Sequence, residues 1–294
     1  MSNDADIFTR IQEQRENFSA KQLQLADYIE KNYKTAAFLN STKLAKLAGV
    51  SGSTVIRFAE ELGYDGFPQL QTALHSIVQM EITTLDSFVA NTLVTDSDGK
   101  DGFFRSHIET LKKIEKTLST DAIQRAIEQL SAARNIFIAG FQGSAFLANY
   151  TTYFLSRIRG NVVRFNSWDG SSFNLVPTED REKDVALIFA FPRFPLQTYA
   201  LAKFFSKIKI PMICVTTITD NIISRLADTV IHVELEYRAY VDRLAPVLYI
   251  SEYIVKGVAN MDKERSIRQF KRFEEFAQEN KIFLRMNEKE PQED

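Results

Sequence analysis

The stretch "LAKLAGVSGSTVIRF", residues 44–58, decides how the first third of the chain is read. Its apolar residues recur at helical spacing, stop at a glycine and then resume. Leu44, Leu47 and Ala48 predict the inner face of one short helix, Gly49 supplies a turn conformation that other residues avoid, and Val50 plugs the corner. Ser51 stands where the next helix needs a cap, and Val55, Phe58, Ala59 and Leu62 then point back inward. Ser53, Thr54 and Arg57 are left on the outer face. Two short helices joined by a tight turn, the second presenting a polar start, have the geometry of a helix-turn-helix unit.

The residue types on that outer face suit a duplex. A helix start carries open amide groups and the positive end of the dipole, which favour a phosphate. Serine and threonine hydroxyls reach phosphates or bases without bulk. The forked guanidinium of Arg57 can bond a guanine edge or a phosphate in bidentate fashion. Ser41 or Thr42 is a candidate cap for the preceding helix, from which Lys43 and Lys46 could reach the DNA backbone. The expected DNA contacts are therefore Ser41, Lys43, Ser51, Ser53, Thr54 and Arg57. From spacing alone a second reading stays open: a small helical bundle in which Ser51 only caps and Arg57 is only solvated.

Charge limits how such a module would work. Residues 1–80 hold eight Lys or Arg against nine Asp or Glu, and the whole chain of 294 residues carries a formal charge of −2. Non-specific affinity is mostly phosphate neutralisation, so one head alone binds weakly and a dimer or tetramer on a repeated site is expected. Around the motif, "IFTRIQEQRENF" and "SAKQLQLADYIEKNY" read as helices, the second capped by Ser19, and Phe67 to Met80 continues as another. Residues 1–80 thus form an all-α domain. Residues 81–105 include "VTDSDGKDGF" and read as a linker.

One helical stretch is predicted from about Ser106 to Ala133, after which the texture changes. "NIFIAG", "VVRF", "VALIFAF", "MICVTT" and "VIHVEL" are short β-branched and aromatic runs. Helical stretches at Ser144–Ile158, Leu196–Ile208 and Asn221–Leu226 separate most of them. That alternation predicts a parallel five-stranded sheet with helices on both faces, an α/β domain over residues 106–285. Two helices, from about Asp242 and from about Lys263, close it, and residues 286–294 read as a tail.

Other chemistry is sparse. A single cysteine, Cys214 within an apolar run, excludes an internal disulfide framework. His75, His107 and His232 lack metal-ligand spacing, so no metal and no cofactor are expected. The polar N-terminus has no apolar signal core, and no run approaches the ~20 residues of a membrane span, which predicts a cytoplasmic protein with no membrane partner. Ser167, Asp169, Ser171 and Ser172 fit the lining of a pocket and a polar surface loop equally well. Trp168 reads as a packing residue, and Glu234, Glu236, Asp242 and Arg243 carry no assignable role.

The run from "SAKQLQLADYIEKNY" through "STKLAKLAGVSGSTVIRFAEELGYDGFPQLQTAL" resembles the N-terminal domain of the RpiR family of bacterial transcriptional regulators. "SGSTVIRF" and "LGYDGFPQL" carry the likeness most specifically. It extends over residues 7 to about 285, and the second half looks like the SIS (sugar isomerase) domain that such regulators carry as a sensor. The resemblance implies a double-stranded DNA operator, a sugar phosphate or sugar-acid effector, a homo-oligomer and no catalytic residues. In the first sugar-binding loop Gly140 and Ser144 match the family pattern, while Gln142 replaces a glycine. In the second, "FAFPRFPLQT" (189–198), Ala190 and Pro192 stand where hydroxyls are usual and Arg193 stands near the usual glycine. The expected effector contacts are Gln142, Gly143, Ser144, Arg193 and Thr198. A phosphosugar isomerase on the same fold is the alternative. Such an enzyme has no use for the helical head.

Overall fold

The computed structural model describes residues 7–81, 83, 85–86, 88–89, 99–167, 169, 174–177, 179–235 and 243–283. It divides into two compact units, one reaching Lys113 and including Leu235–Arg243, the other spanning Ile114–Glu234 and continuing from Leu244.

In the first unit, α1 (Ile7–Gln14), α2 (Ala20–Ala36), α3 (Ser41–Ala48), α4 (Gly52–Glu61) and α5 (Phe67–Glu81) surround one apolar core. Ile7, Ile11 and Phe18 enter it, as do Leu25, Ala26 and Ile29 of α2. Ser19 caps α2 with a reciprocal capping box, accepting from the Gln22 amide while the Gln22 side chain takes the Ser19 N–H. The Gln71 side chain bonds the carbonyls of Ala37 and Leu39, closing the chain end beyond α2. Leu47, expected inward, is instead 46% exposed, because Leu44, Ala45 and Ala48 already fill the inner face of α3. The cap of α3 is Asn40, whose side chain accepts from the Lys43 amide at 2.9 Å; Ser41 and Thr42 are the first two helical residues.

The helical stretch expected from Ser106 to Ala133 is two helices. Helix α6 (Gly99–Thr117) starts within the stretch expected as linker, and α7 (Thr120–Ala132) begins after Ser119, whose hydroxyl accepts from the Ala122 amide. Residue types that cap a helix also interrupt one, and the Ser119 cap turned an apparent continuous stripe into a corner.

The second unit holds β1 (Ile136–Ala139), α8 (Ala145–Ile158), β2 (Val162–Phe165), β3 (Val185–Ala190), α9 (Leu196–Lys207), β4 (Met212–Thr216), β5 (Thr229–His232), α10 (Ala245–Met261) and α11 (Lys263–Glu279). All five expected strands are present and pair in parallel, in the order β2-β1-β3-β4-β5. Central β1, β3 and β4 are buried along their whole length, which explains their continuous apolarity. Edge strands β2 and β5 are only partly buried. Phe137, Phe165 and Phe205 pack against one another on one face. Residues Asn221–Leu226 do not form a crossover helix but a tight turn ending in a single 3-10 turn, Ser224–Leu226. The Asn221 and Ser224 side chains hold it by bonding neighbouring backbone groups.

Candidate nucleic-acid and effector sites

The corner between α3 and α4 is built by the backbone at Gly49, which sits at φ 67°, ψ 34°. A side chain there is strained, so glycine serves the conformation itself. The Val50 amide reaches back to the Ala45 carbonyl at 2.9 Å and ties the turn to the end of α3. From α2, the Gln24 side chain donates to the Ala48 carbonyl at 2.9 Å and Lys21 donates to the Gly49 carbonyl at 3.3 Å. Carbonyls that α3 leaves open at its end are thereby satisfied by a neighbouring helix.

Ser51 then starts α4. Its Oγ accepts from the Thr54 amide at 3.2 Å and lies 2.8 Å from both the Ser53 and the Thr54 hydroxyl. Three hydroxyls expected separately on sequence grounds are thus one hydrogen-bonded cluster at a helix start. Val55, Phe58, Ala59 and Leu62 are buried, as expected, and Phe58 packs on Phe18 with ring centroids 5.1 Å apart. Ser53 and Arg57 are exposed and Thr54 is half-buried on the outward side. Ile56, which sequence reading did not single out, is exposed beside them, an apolar group able to meet a thymine methyl. Glu61 bonds the Gln22 side chain from α2, which fixes that acid away from the start of α4. Ser41 and Lys43 lie at the start of α3, apart from the hydroxyl cluster.

In the α/β unit the two loops expected to hold an effector leave adjacent strands. Loop Gly140–Ser144 follows β1, and Phe191–Thr198 follows β3. The chain runs from β1 outward to β2 on one side and to β3 on the other, so these loops flank the point where strand order reverses. Ligands of open parallel sheets bind outside the carboxyl ends of the strands at such a point. A Cβ at Gly140 would lie 2.5 Å from the Ser144 carbonyl oxygen, so this glycine is required by close approach. Gln142 takes a left-handed conformation, φ 53°, and is exposed with Gly143, whereas Ser144 is buried. Neither α8 nor α9 has its start capped by a side chain.

Arg193 is exposed in the second loop. Thr198 lies in the first turn of α9, fully buried, and its Oγ meets no hydrogen-bond partner. An unsatisfied buried hydroxyl costs about 1–3 kcal/mol. The sequence named Thr198. Only the coordinates reveal that its hydroxyl is unpaired.

Remaining candidates are structural. Burial pushes the Cys214 thiol up to about 12, far from a thiolate nucleophile at neutral pH. His107 bonds the Phe103 carbonyl and His232 the Thr217 carbonyl, and His75 stacks on Phe38. Ser167 bonds Asp169, and Arg243 donates to Ser106. Trp168, Ser171, Ser172, Glu236 and Asp242 lie outside the described residues. Among the described residues there is no cluster of metal-ligating side chains, and no helix is long and apolar enough to cross a membrane.

Comparison with known proteins finds one family match in each of two stretches of the chain. Residues 5–81 match the helix-turn-helix domain of the rpiR family, and residues 129–248 match the SIS domain. The uncharacterized HTH-type transcriptional regulator YfhH of Escherichia coli K12 is 27% identical over 157 residues, covering 52% of this chain and 56% of that protein. The chain therefore spans about half the length of that curated relative. Among solved structures, the Vibrio vulnificus NanR protein complexed with ManNAc-6P matches over 95% of this chain and 100% of its own, at 20% identity and a TM-score of 0.56. The sugar isomerase domain of an RpiR transcription factor from Sphaerobacter thermophilus matches 58% of this chain and 96% of its own, at 16% identity and a TM-score of 0.54. At such identities the structural likeness speaks for the fold.

Proposed function

We propose that this chain, which belongs to the rpiR family by its helix-turn-helix domain and carries a SIS domain behind it, is a cytoplasmic transcriptional regulator of carbohydrate metabolism. It binds double-stranded operator DNA through the start of α4, with Ser51, Ser53, Thr54 and Arg57 at the groove and with Ser41 and Lys43 near the DNA backbone. The observation that carries this reading is the cluster of three bonded hydroxyls at the capped start of α4, with Arg57 on the outer face of the same helix.

The effector is a sugar phosphate or related anionic sugar metabolite, bound at the carboxyl edge of β1 and β3. Gln142, Gly143 and Ser144 approach it from one loop, Arg193 and Thr198 from the other. The reading is supported by the strand-order reversal at this edge, the uncapped starts of α8 and α9, and the unpaired Thr198 hydroxyl. NanR, similar in fold, was solved with a sugar phosphate. Exposed Phe146 and Tyr153 on α8 and Tyr249 and Tyr253 on α10 support a homo-oligomer, which would also pair the weakly charged DNA-binding heads.

One experiment tests the DNA half. From a random duplex library the wild-type protein is expected to select a defined site. Arg57→Ala is expected to lose at least about tenfold in affinity for it, the worth of one bidentate base contact, with its elution volume in size exclusion unchanged. Wild-type affinity in that variant overturns the assignment.

A further inference from the structure

Among the described side chains of residues 7–81, the large apolar ones are buried or half-buried with two exceptions, Leu47 and Ile56, each 46% exposed. Both stand in the pair of helices that form the helix-turn-helix corner, Leu47 on α3 and Ile56 on α4. Val55, Phe58, Ala59 and Leu62 take the buried side of α4, so at helical spacing Ser53, Ile56, Arg57 and Glu60 fall on the opposite one. All four are exposed. Single apolar side chains are ordinary on a protein surface, but Ile56 shares its helix face with the groups assigned to DNA.

What lies beside Ile56 narrows its use. A helical side chain leans toward the helix start and covers the turn before its own. For Ile56 that turn holds Gly52, which is exposed, and a Cβ built there would meet nothing within 4 Å beyond its own helix backbone and chain neighbours. The fold therefore does not require glycine at this position, and its effect is to leave the surface in front of Ile56 bare. On the neighbouring stripe, Ser53 lies 2.8 Å from the Ser51 hydroxyl and Arg57 carries the forked guanidinium. One turn beyond Ile56, the exposed Glu60 carboxylate repels a phosphate. A branched apolar side chain beside a carboxylate, leaning over a position with no side chain, suits a small apolar group on a base edge rather than the DNA backbone. In the major groove that group is the C5-methyl of thymine.

We propose that Ile56 is a specificity-determining residue of the DNA-binding head: its side chain, with the bare surface of Gly52 before it, receives the methyl group of one thymine in the operator half-site. The inference rests on the DNA-binding reading of α4 and adds to it the identity of a base. Ser53, Thr54 and Arg57 bind through hydrogen bonds, which a phosphate and a base edge can both satisfy. A thymine methyl belongs to the base alone, so contact with it contributes to sequence choice rather than to general affinity for a duplex. Cytosine lacks the methyl and presents an amino donor in its place, so Ile56 discriminates a T·A pair from a C·G pair.

The probe is the duplex site that the whole chain selects from a random library, with its thymines replaced one at a time by deoxyuridine. That replacement removes the methyl and leaves the base pair intact. Wild-type protein is expected to lose about fourfold in affinity at one thymine, the worth of one buried methyl group. Ile56→Ala is expected to bind the unmodified site more weakly by a similar factor and to lose nothing further on that replacement. Its unfolding temperature and its elution volume without DNA are expected to stay unchanged, since the position is exposed and alanine suits a helix. Gly52→Ala is expected to fold like the wild type and to weaken binding of the thymine site more than of the deoxyuridine site. A replacement that costs Ile56→Ala as much as the wild type, or costs the wild type nothing at any thymine, overturns the proposal and leaves the DNA-binding reading standing. An altered elution volume in Ile56→Ala assigns the side chain to a contact between copies and also overturns it. Failure of the wild type to select any site overturns both.

Discussion

Two glycine turns lead into helices in this protein, and they use the same letters for different physics. At Gly49–Ser51 the glycine is needed for its backbone angles, and the serine is exposed and caps the helix with its own side chain. At Gly140–Ser144 the glycine is needed because a Cβ would collide with the Ser144 carbonyl, and the serine is buried and caps nothing. The first turn spends its polar groups on itself and offers a finished surface of hydroxyls. The second leaves its helix start without a side-chain cap, as does the neighbouring loop that ends at Thr198. Under the proposed function, the first turn reads DNA and the second pair of loops senses an effector.

The comparison breaks most sharply at the glycines. Gly140→Ala forces a backbone shift against a fixed carbonyl and is expected to cost about 3 kcal/mol or more, or to prevent folding of the α/β unit. Gly49→Ala meets only the flexible end of Gln24 at 2.8 Å and adds left-handed strain, so about 1–2 kcal/mol is expected. Chemical unfolding of both variants decides the order, and an equal cost would mean the two glycines do the same job.

A smaller effect is expected at the cap. Ser51→Ala removes the bond to the Thr54 amide and frees the Ser53 and Thr54 hydroxyls, costing about 1 kcal/mol of stability. Unchanged unfolding in that variant would show the hydroxyl cluster to be dispensable for folding.

The smallest change is expected at Thr198→Val. Deleting a hydroxyl that has no partner should leave the ligand-free protein unchanged or stabilise it by up to about 1 kcal/mol. A loss of more than that would mean the hydroxyl is bonded within the protein and is not waiting for a ligand.

Much of the fold was legible because the local signals were strong. Short β-branched and aromatic runs marked all five strands, and the Gly49 punctuation with Val55, Phe58, Ala59 and Leu62 marked the helix-turn-helix corner. The errors share a cause: where two residues could perform one local task, the choice depended on neighbours far away in sequence. Asn40 rather than Ser41 caps α3, and Leu47 lost its place inside to Ala45. Ser119 divides the stretch because its hydroxyl caps α7. The outward placement of Ser51, Ser53, Thr54 and Arg57 could be read directly, since a helix start fixes which side chains face outward. Arg159, only 3% exposed with its Nε and Nη2 unpartnered, gave no signal at all, since nothing in "SRIRGN" distinguishes a surface arginine from a buried one.

The amino-acid order by itself determined the five strands, the helix-turn-helix corner and the side chains that face outward from the start of α4, because those follow from short-range periodicity and capping chemistry. Tertiary structure alone decided the strand order β2-β1-β3-β4-β5, and with it the meeting of two distant loops at one edge. It alone sealed Thr198 and Arg159 away from partners. Those outcomes depend on which surfaces exclude water together, and that is a property of the packed chain rather than of any segment of it.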